Sequence, residues 1–290
     1  MLPDHIYFEG LEDIPGLEGV PNSASPAFLK VNGNCPIVIS ASHAGHETTT
    51  PDEAKSFGER QSGNGKNDVN TLKITFALIR ALCAMGTVPN VVINLVSRKY
   101  MDLNRRWSKQ GTWQNNNLDT FEPNDVSKTI AEFPRVTEFQ NFRDRYYQSF
   151  HDTLQDFTET NHPVCWLYDI HGTGLGFLAP LHSYNLQIHT AQGFTAGRDV
   201  VYDSSHSLFR HLHDNGRGFD VHPHSGNPGD EYFRANAQGT VSINYISGRQ
   251  YGAQGPSPHK DSLPITTNVQ PGPEARRAHG VQFEIDGAFR

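Results

Sequence analysis

The sequence predicts a single-domain α/β fold, covering residues 1–290, built around a mixed, mostly parallel sheet. Short apolar segments rich in β-branched residues recur along the chain, and two amphipathic helical patterns lie between them. Most of these segments are continuously apolar rather than alternating, which is typical of strands covered on both faces of a parallel sheet. Strands that alternate with helices define the α/β class, and no linker divides the chain into two cores.

Five segments are predicted to form strands because each is short, largely apolar and rich in β-branched or aromatic residues. They cover residues 36–40, 91–96, 164–170, 241–246 and 281–285. Residues 185–189 add a further strand with a weaker pattern. Because open α/β sheets bind ligands at the carboxyl ends of their strands, polar residues at these ends are candidates for function.

The first predicted helix covers residues 70–85, where apolar side chains recur at helical spacing. Its buried stripe comprises Leu72, Phe76, Ile79 and Cys83. Gly86 is a typical helix terminator, and Asp68 lies just before the helix, where an N-cap is expected.

The second predicted helix covers residues 136–160 and carries an aromatic stripe. The stripe comprises Phe139, Phe142, Tyr146, Phe150 and Phe157. We expect these rings to pack in the core rather than to bind a cofactor, because their spacing matches the buried face of an amphipathic helix.

The composition favours a soluble, cytoplasmic protein. The chain has 290 residues, with 24 Lys and Arg against 31 Asp and Glu, which gives a net charge of −7. An acidic chain has no general attraction for nucleic acid or anionic membranes. No apolar run approaches the roughly 20 residues of a membrane span, and the acidic N-terminus does not resemble a signal peptide. Three Cys make no disulfide framework, whereas 15 His invite a search for metal ligands.

Two polar, Gly- and Pro-rich segments, residues 104–134 and 214–280, are predicted to be long loops. Loops of this length in a compact domain typically carry function. The second loop holds basic side chains that would suit a larger substrate cleft, namely His222, His224, Arg234 and Arg249.

Histidines follow two of the predicted strands. His43 comes just after the first strand, where Ala44 and Gly45 are small enough to leave room for a ligand. His171 ends the third strand, two residues after Asp169, which is expected to brace rather than bind. Taken alone, a His such as His43 is better explained as a structural side chain that is satisfied by a backbone carbonyl.

Charged and polar residues lie near two further strands. Arg98, Asn104 and Arg105 follow the second strand, and an Asn–Arg pair beside a cleft suits a carboxylate. A solvated basic loop explains the same residues without a function. Glu284 lies inside the apolar last strand, where an acid is costly unless it is paired or functional.

The order of these residues resembles the zinc carboxypeptidase superfamily and, within it, the N-formylglutamate amidohydrolase family. The matching motifs are Ser42-His43-Ala44-Gly45, Asp68, Arg98 with Asp102-Leu103-Asn104-Arg105, Asp169-Ile170-His171 and Val281-Gln282-Phe283-Glu284-Ile285. They are spread over residues 36–286. The resemblance implies a three-layer α/β sandwich and a metal-dependent hydrolase acting on C–N bonds.

The resemblance also implies that one zinc ion is held by His43, Asp68 and His171. In the superfamily the acid ligand lies where the loop enters the following helix, and Asp68 occupies that place. The compact His-x-x-Glu of the carboxypeptidases becomes His43-x-x-His46 here, so Glu47 and His46 stay open as second and third alternatives. Two His and one carboxylate with an open fourth position are typical of a catalytic zinc, although the ligand set admits another divalent ion.

The implied reaction is cleavage of the amide of an N-acyl amino acid, such as N-formylglutamate, or of a short acidic peptide. Zinc-activated water would be the nucleophile and Glu284 the general base. Asn104 and Arg105 would bind the substrate carboxylate, and Arg98 would polarise the carbonyl or stabilise the oxyanion. Two rivals stay open: a zinc peptidase or esterase with a larger substrate, and a metal-free carboxylate-binding module.

Overall fold

The computed structural model describes residues 13–21, 25–56, 59, 65–104, 141, 143–161, 165–173, 186–189, 196, 201, 206, 208, 211–212, 221–222 and 279–286. The predicted strand 241–246, Phe139, Phe142 and Arg105 lie outside these residues. Within the described residues, no helix combines the length and apolar character needed to cross a membrane. The single domain over 1–290 and the cytoplasmic location stay predictions.

Among the described residues, eight strands form one mixed sheet. The strands are β1 Glu18–Val20, β2 Phe28–Val31, β3 Ile37–Ala41, β4 Asn90–Asn94, β5 Trp166–Thr173, β6 Leu186–His189, β7 Val221–His222 and β8 His279–Asp286. Their order across the sheet is β1-β2-β4-β3-β5-β8-β6-β7. The four central strands, β4, β3, β5 and β8, run parallel, and β2 and β6 flank them in antiparallel pairing. The predicted mixed sheet with a parallel centre is therefore confirmed.

Three helices and a π-helical turn accompany the sheet in the described residues. They are α1 Asp52–Ser56, α2 Thr71–Ala84, the π-helical segment Arg143–Gln148 and α3 Ser149–Thr160, which continues from that segment. The buried aromatic side chains predicted for the second helix are confirmed at Tyr146, Phe150 and Phe157.

The two longer helices cover opposite faces of the sheet. On one face, Phe76 of α2 shares a buried cluster with Ile39 and Ile93. On the other face, Phe150 of α3 shares a cluster with Val38. Because Val38 and Ile39 are neighbours in β3, their side chains point to opposite faces of the sheet. The protein therefore has the expected layers of helix, sheet and helix.

The start of α2 differs from the prediction. The residue before the helix is Asn70, which has a φ of 63° and makes no side-chain capping hydrogen bond. Asn tolerates this left-handed conformation better than most residues. The predicted N-cap role of Asp68 is wrong, because Asp68 lies two residues before the cap position.

Three short strands were not predicted from the sequence. β1, β2 and β7 have three, four and two residues, respectively, and none contains a long apolar run. The four predicted strands that matter for the site are present as β3, β4, β5 and β8, which are parallel with their carboxyl ends at one edge. Their predicted ends shift by one to three residues, so that His171 lies within β5 rather than after it.

Candidate metal centre

Three buried side chains converge at the carboxyl edge of the central strands. His43 follows β3, Asp68 precedes α2, and His171 lies within β5. The Nδ1 atom of His171 is 3.1 Å from Nδ1 of His43 and 3.1 Å from Oδ2 of Asp68. Nδ1 of His43 is 3.3 Å from the same Asp68 oxygen. Among the described residues, these three form a group whose donor atoms could hold one metal ion.

The backbone after His43 is held tightly against the end of β4. A Cβ atom on Gly45 would lie 2.3 Å from the carbonyl oxygen of Val96, so only Gly fits this approach. His46 forms a parallel bridge with Val96, and Ala44 is fully buried in the core. The expectation that Ala44 and Gly45 leave room for a ligand is therefore wrong, because both positions face the protein itself.

His43 is oriented by a buried carboxylate on its far side. Its Nε2 atom donates to Oδ1 of Asp102 at 2.8 Å, and Asp102 is fully buried. The Nε–H group of Arg98 donates to Oδ2 of Asp102 at 2.8 Å, and the backbone N–H of Asn104 donates to Oδ1 at 3.0 Å. Arg98 is thus linked to His43 through Asp102.

His171 has a corresponding partner within its own strand. Its Nε2 atom lies 2.9 Å from Oδ2 of Asp169, which is fully buried. The hydroxyl of Ser40 donates to the other Asp169 oxygen at 2.6 Å. The Ser42 hydroxyl lies 3.3 Å from the same Nε2 atom. The backbone N–H of Gly172 donates to Asp68 at 3.1 Å, which ties the end of β5 to the third member of the group.

The donor set fits a zinc ion. Since each Nε2 atom faces a carboxylate, which only accepts hydrogen bonds, the proton of each neutral imidazole lies on Nε2 and the lone pair on Nδ1. Two imidazole lone pairs and a carboxylate oxygen then face one another at 3.1–3.3 Å. Ligands bound tetrahedrally at about 2.0–2.1 Å lie about 3.3 Å apart, which matches these separations.

The charges of the site favour a cation at its centre. Burial alone would raise the pKa of Asp68, but His43 and His171 hold that pKa well below its usual range. Burial lowers the pKa of His171, but Asp169, Asp68 and Glu284 together raise it well above its ordinary value. Both shifts have the same cause, because opposite charges packed in this buried group stabilise one another.

Glu284 lies beside this group in the neighbouring strand. It is directly opposite His171 in the β5–β8 pairing, so the two side chains share one face of the sheet. Burial raises the pKa of Glu284, the charges of His171 and His43 oppose this shift, and Asp68 adds to it. The amide of Gln282, two residues earlier on the same face, donates to Oε1 of Glu284. Glu284 therefore lies within electrostatic reach of all three members of the converging group.

The two alternative ligands from the sequence have other surroundings. Glu47 is exposed and accepts a hydrogen bond from the Tyr100 hydroxyl at 2.5 Å. His46 is half-buried, and its backbone N–H donates to the Thr49 hydroxyl at 2.8 Å. Burial lowers the pKa of His46, and the charge of Lys73 adds to this shift. Neither residue belongs to the converging group in the described part of the chain.

Other predicted site residues are only partly described. Asn104 is buried and contacts Asp102 through its backbone, whereas Arg105 lies outside the described residues. Sequence reasoning gave neither Ser40 nor Asp102 a role of its own. A polar side chain within an apolar strand was the available signal for Ser40, but only the register of β3 against β5 reveals its partner.

Comparison with known proteins relates this arrangement to a family. The sequence profile for FGase, N-formylglutamate amidohydrolase, matches residues 35–216, more than half of the chain. No curated protein sequence matches significantly. The crystal structure of N-formylglutamate amidohydrolase from Ralstonia eutropha JMP134 superposes with a TM-score of 0.52 at 17% identity, covering 90% of this chain and 86% of that chain. A gene product from Agrobacterium tumefaciens has a TM-score of 0.48 at 14% identity, covering 90% of this chain and 84% of that chain.

The crystal structure from Ralstonia establishes a shared fold over nearly the whole length of both chains. The profile adds sequence evidence, and its span includes all three converging side chains, His43, Asp68 and His171. On the strength of that profile match, the chain belongs to the N-formylglutamate amidohydrolase family, a family of hydrolases that act on amide C–N bonds.

Proposed function

We propose that the protein is a zinc-dependent amidohydrolase that cleaves the amide of an N-acyl amino acid or a short acidic peptide, with N-formylglutamate as the first candidate substrate. The observation that carries this proposal is the convergence of two Nδ1 atoms and one carboxylate oxygen within 3.3 Å of one another. Such a set holds zinc with one position open, as catalytic zinc sites do.

His43, Asp68 and His171 would hold the ion. Zinc at such a site supplies a Lewis acid that polarises a carbonyl and acidifies a water molecule. Burial of the three side chains keeps bulk water away, which strengthens their electrostatic interactions with a bound cation.

Glu284 is the proposed general base. It would accept the proton of the attacking water and pass it to the leaving nitrogen. Its position opposite His171 and the upward shift of its pKa support this role, because a base works best when its pKa approaches the operating pH.

Substrate recognition is assigned to the segment that follows β4. Asn104 and Arg105 would bind the substrate carboxylate, since Arg offers a bidentate fork and Asn a neutral donor. Arg98 would stabilise negative charge on the carbonyl oxygen. Its Nε–H donates to Asp102, so this contact would come from its terminal NH₂ groups.

Metal analysis combined with a substrate panel tests the proposal. We expect one zinc per chain, and hydrolysis of N-formylglutamate that is lost on chelation and restored by added zinc. Comparison with longer N-acyl amino acids, acidic peptides and esters separates an amidohydrolase from a peptidase or esterase. A purified protein that binds no divalent metal under any of these conditions would contradict the proposal and favour a carboxylate-binding module.

The carboxylate assignment has its own test. Arg105→Ala should weaken the binding of acidic substrates far more than that of neutral analogues, because only the acidic substrates lose an ion pair. Arg106→Ala is the matched control, since it removes the same charge from the adjacent position. Equal losses for both substrate types would contradict the assignment.

A further inference from the structure

The proposed zinc ligand His171 is oriented by a carboxylate from its own strand. Asp169 and His171 lie two residues apart in β5, so both side chains point to the same face of the sheet. Asp169 is fully buried, and its Oδ2 atom lies 2.9 Å from Nε2 of His171. This distance is that of a good N–H···O hydrogen bond.

Asp169 is itself held in place from the neighbouring strand. Ser40 lies directly opposite Asp169 in the β3–β5 pairing, and its hydroxyl donates to Oδ1 at 2.6 Å. One carboxylate oxygen therefore faces Ser40 and the other faces His171. Since all three side chains are buried and the carboxylate is held both from β3 and from its own strand, it has little freedom to rotate.

This arrangement decides which ring nitrogen faces the donor cluster. Turning the imidazole of His171 over would break its hydrogen bond to the buried Asp169 carboxylate and put a ring C–H in its place, which is unfavourable for a charged acceptor. The observed orientation places Nδ1 of His171 3.1 Å from Asp68. The His43 ring has the same orientation, because its Nε2 atom donates to Asp102 and its Nδ1 atom faces Asp68.

We infer that Asp169, held by Ser40, is a positioning residue that fixes His171 with Nδ1 toward the metal. The inference rests on the proposed zinc site, and it adds a role for two residues that do not touch the ion. Carboxylates behind His ligands typically contribute 10–100-fold to metal affinity.

Zinc affinity in competition with a chromogenic chelator provides the first measurement. Asp169→Ala should weaken zinc binding about 10–100-fold. Asp169→Asn should lose less zinc affinity than Asp169→Ala, because the amide oxygen still accepts from Nε2 of His171 while the amide NH₂ donates to the Ser40 hydroxyl. Ser40→Ala should also have a smaller effect, since the carboxylate stays beside His171.

The second measurement reports on orientation rather than affinity. In ¹⁵N-histidine-labelled, metal-free protein, the Nε2 proton of His171 should be downfield and slow to exchange. We expect this signal to persist in Asp169→Asn and to disappear in Asp169→Ala. A merely structural role for Asp169 would not produce this difference.

Thr158→Val is the matched control for lost stability. Thr158 is fully buried in α3, and its hydroxyl donates to the Gln155 carbonyl at 2.9 Å. This variant should lower the melting temperature without changing zinc affinity.

The outcomes separate this inference from the proposed function. Wild-type protein that binds no zinc contradicts the proposed function, whereas the Nε2 signal still decides whether Asp169 orients His171. Wild-type zinc affinity in Asp169→Ala, together with an unchanged Nε2 signal, would overturn the inference.

Discussion

Glu284 lies directly opposite His171 in adjacent parallel strands, so the proposed base and a proposed metal ligand share one face of the sheet. One row earlier, Gln282 lies opposite Asp169, and both side chains are fully buried. The register of β5 against β8 therefore aligns two hydrogen-bonded pairs side by side. Asp169 contacts His171 on β5, and Gln282 contacts Glu284 on β8. A shift of one residue would turn Glu284 to the other face.

Replacing the proposed base should separate catalysis from metal binding. Glu284→Gln keeps the shape of the side chain but removes its capacity to accept a proton. We expect kcat to fall about 10²–10⁴-fold, with zinc content unchanged by elemental analysis. Glu47→Gln makes the same substitution at an exposed position and should retain activity. Full activity in Glu284→Gln would show that another group is the base.

Removing the amide behind Glu284 should change the pH profile. The Gln282 amide donates to the ionised Glu284 carboxylate and so lowers its pKa, against the larger effect of burial. In Gln282→Leu this donor is lost, so the pKa of Glu284 should rise further. The base would then stay protonated to higher pH, and the acidic limb of the kcat/KM profile should shift to higher pH. The proposed role of Gln282 is wrong if the limb stays where it is.

Three single substitutions distinguish the candidate acid ligands. Asp68→Ala removes an oxygen that lies 3.1–3.3 Å from both Nδ1 atoms. We expect its zinc affinity to fall by more than the roughly 10–100-fold that is typical of outer-shell substitutions. Glu47→Ala and His46→Ala should bind zinc as the wild type does, as measured by chelator competition. A larger loss in either of these two would reassign the ligand.

The sequence was informative about polar residues that lie at or directly after the end of a recognisable strand. His43 and His171 could be placed at one edge because their strands were recognisable and parallel strands end together. The register between strands that are far apart in the sequence could not be predicted in the same way. The pairing of Ser40 with Asp169 joins residues 129 positions apart, and no local pattern specifies it. Short edge strands such as β1 also carry too few residues for a periodic signal.

Gly45 illustrates how a correct motif can be explained wrongly from sequence alone. A small residue beside a candidate ligand suggested space for substrate, yet the space is filled by backbone. On Gly33 as on Gly45, a Cβ atom would lie within 2.4 Å of a backbone oxygen, so both glycines mark close chain approaches. Only the path of β4 reveals this, and that path depends on residues far along the chain.

Gly45→Ala should therefore destabilise the protein and weaken the metal site together. The added Cβ would lie 2.3 Å from the Val96 carbonyl oxygen, so the segment after His43 must move away from β4. Overpacking of this kind costs about 1–3 kcal/mol, and more when backbone has to shift. Gly65→Ala is the matched control, since among the described residues its Cβ would contact the Lys99 Cα at an ordinary 3.6 Å. Chemical denaturation and zinc titration of both variants measure the two effects. Because His43 lies two residues from Gly45, zinc affinity should fall in Gly45→Ala alone, and equal behaviour of the two variants would contradict the close approach of these segments.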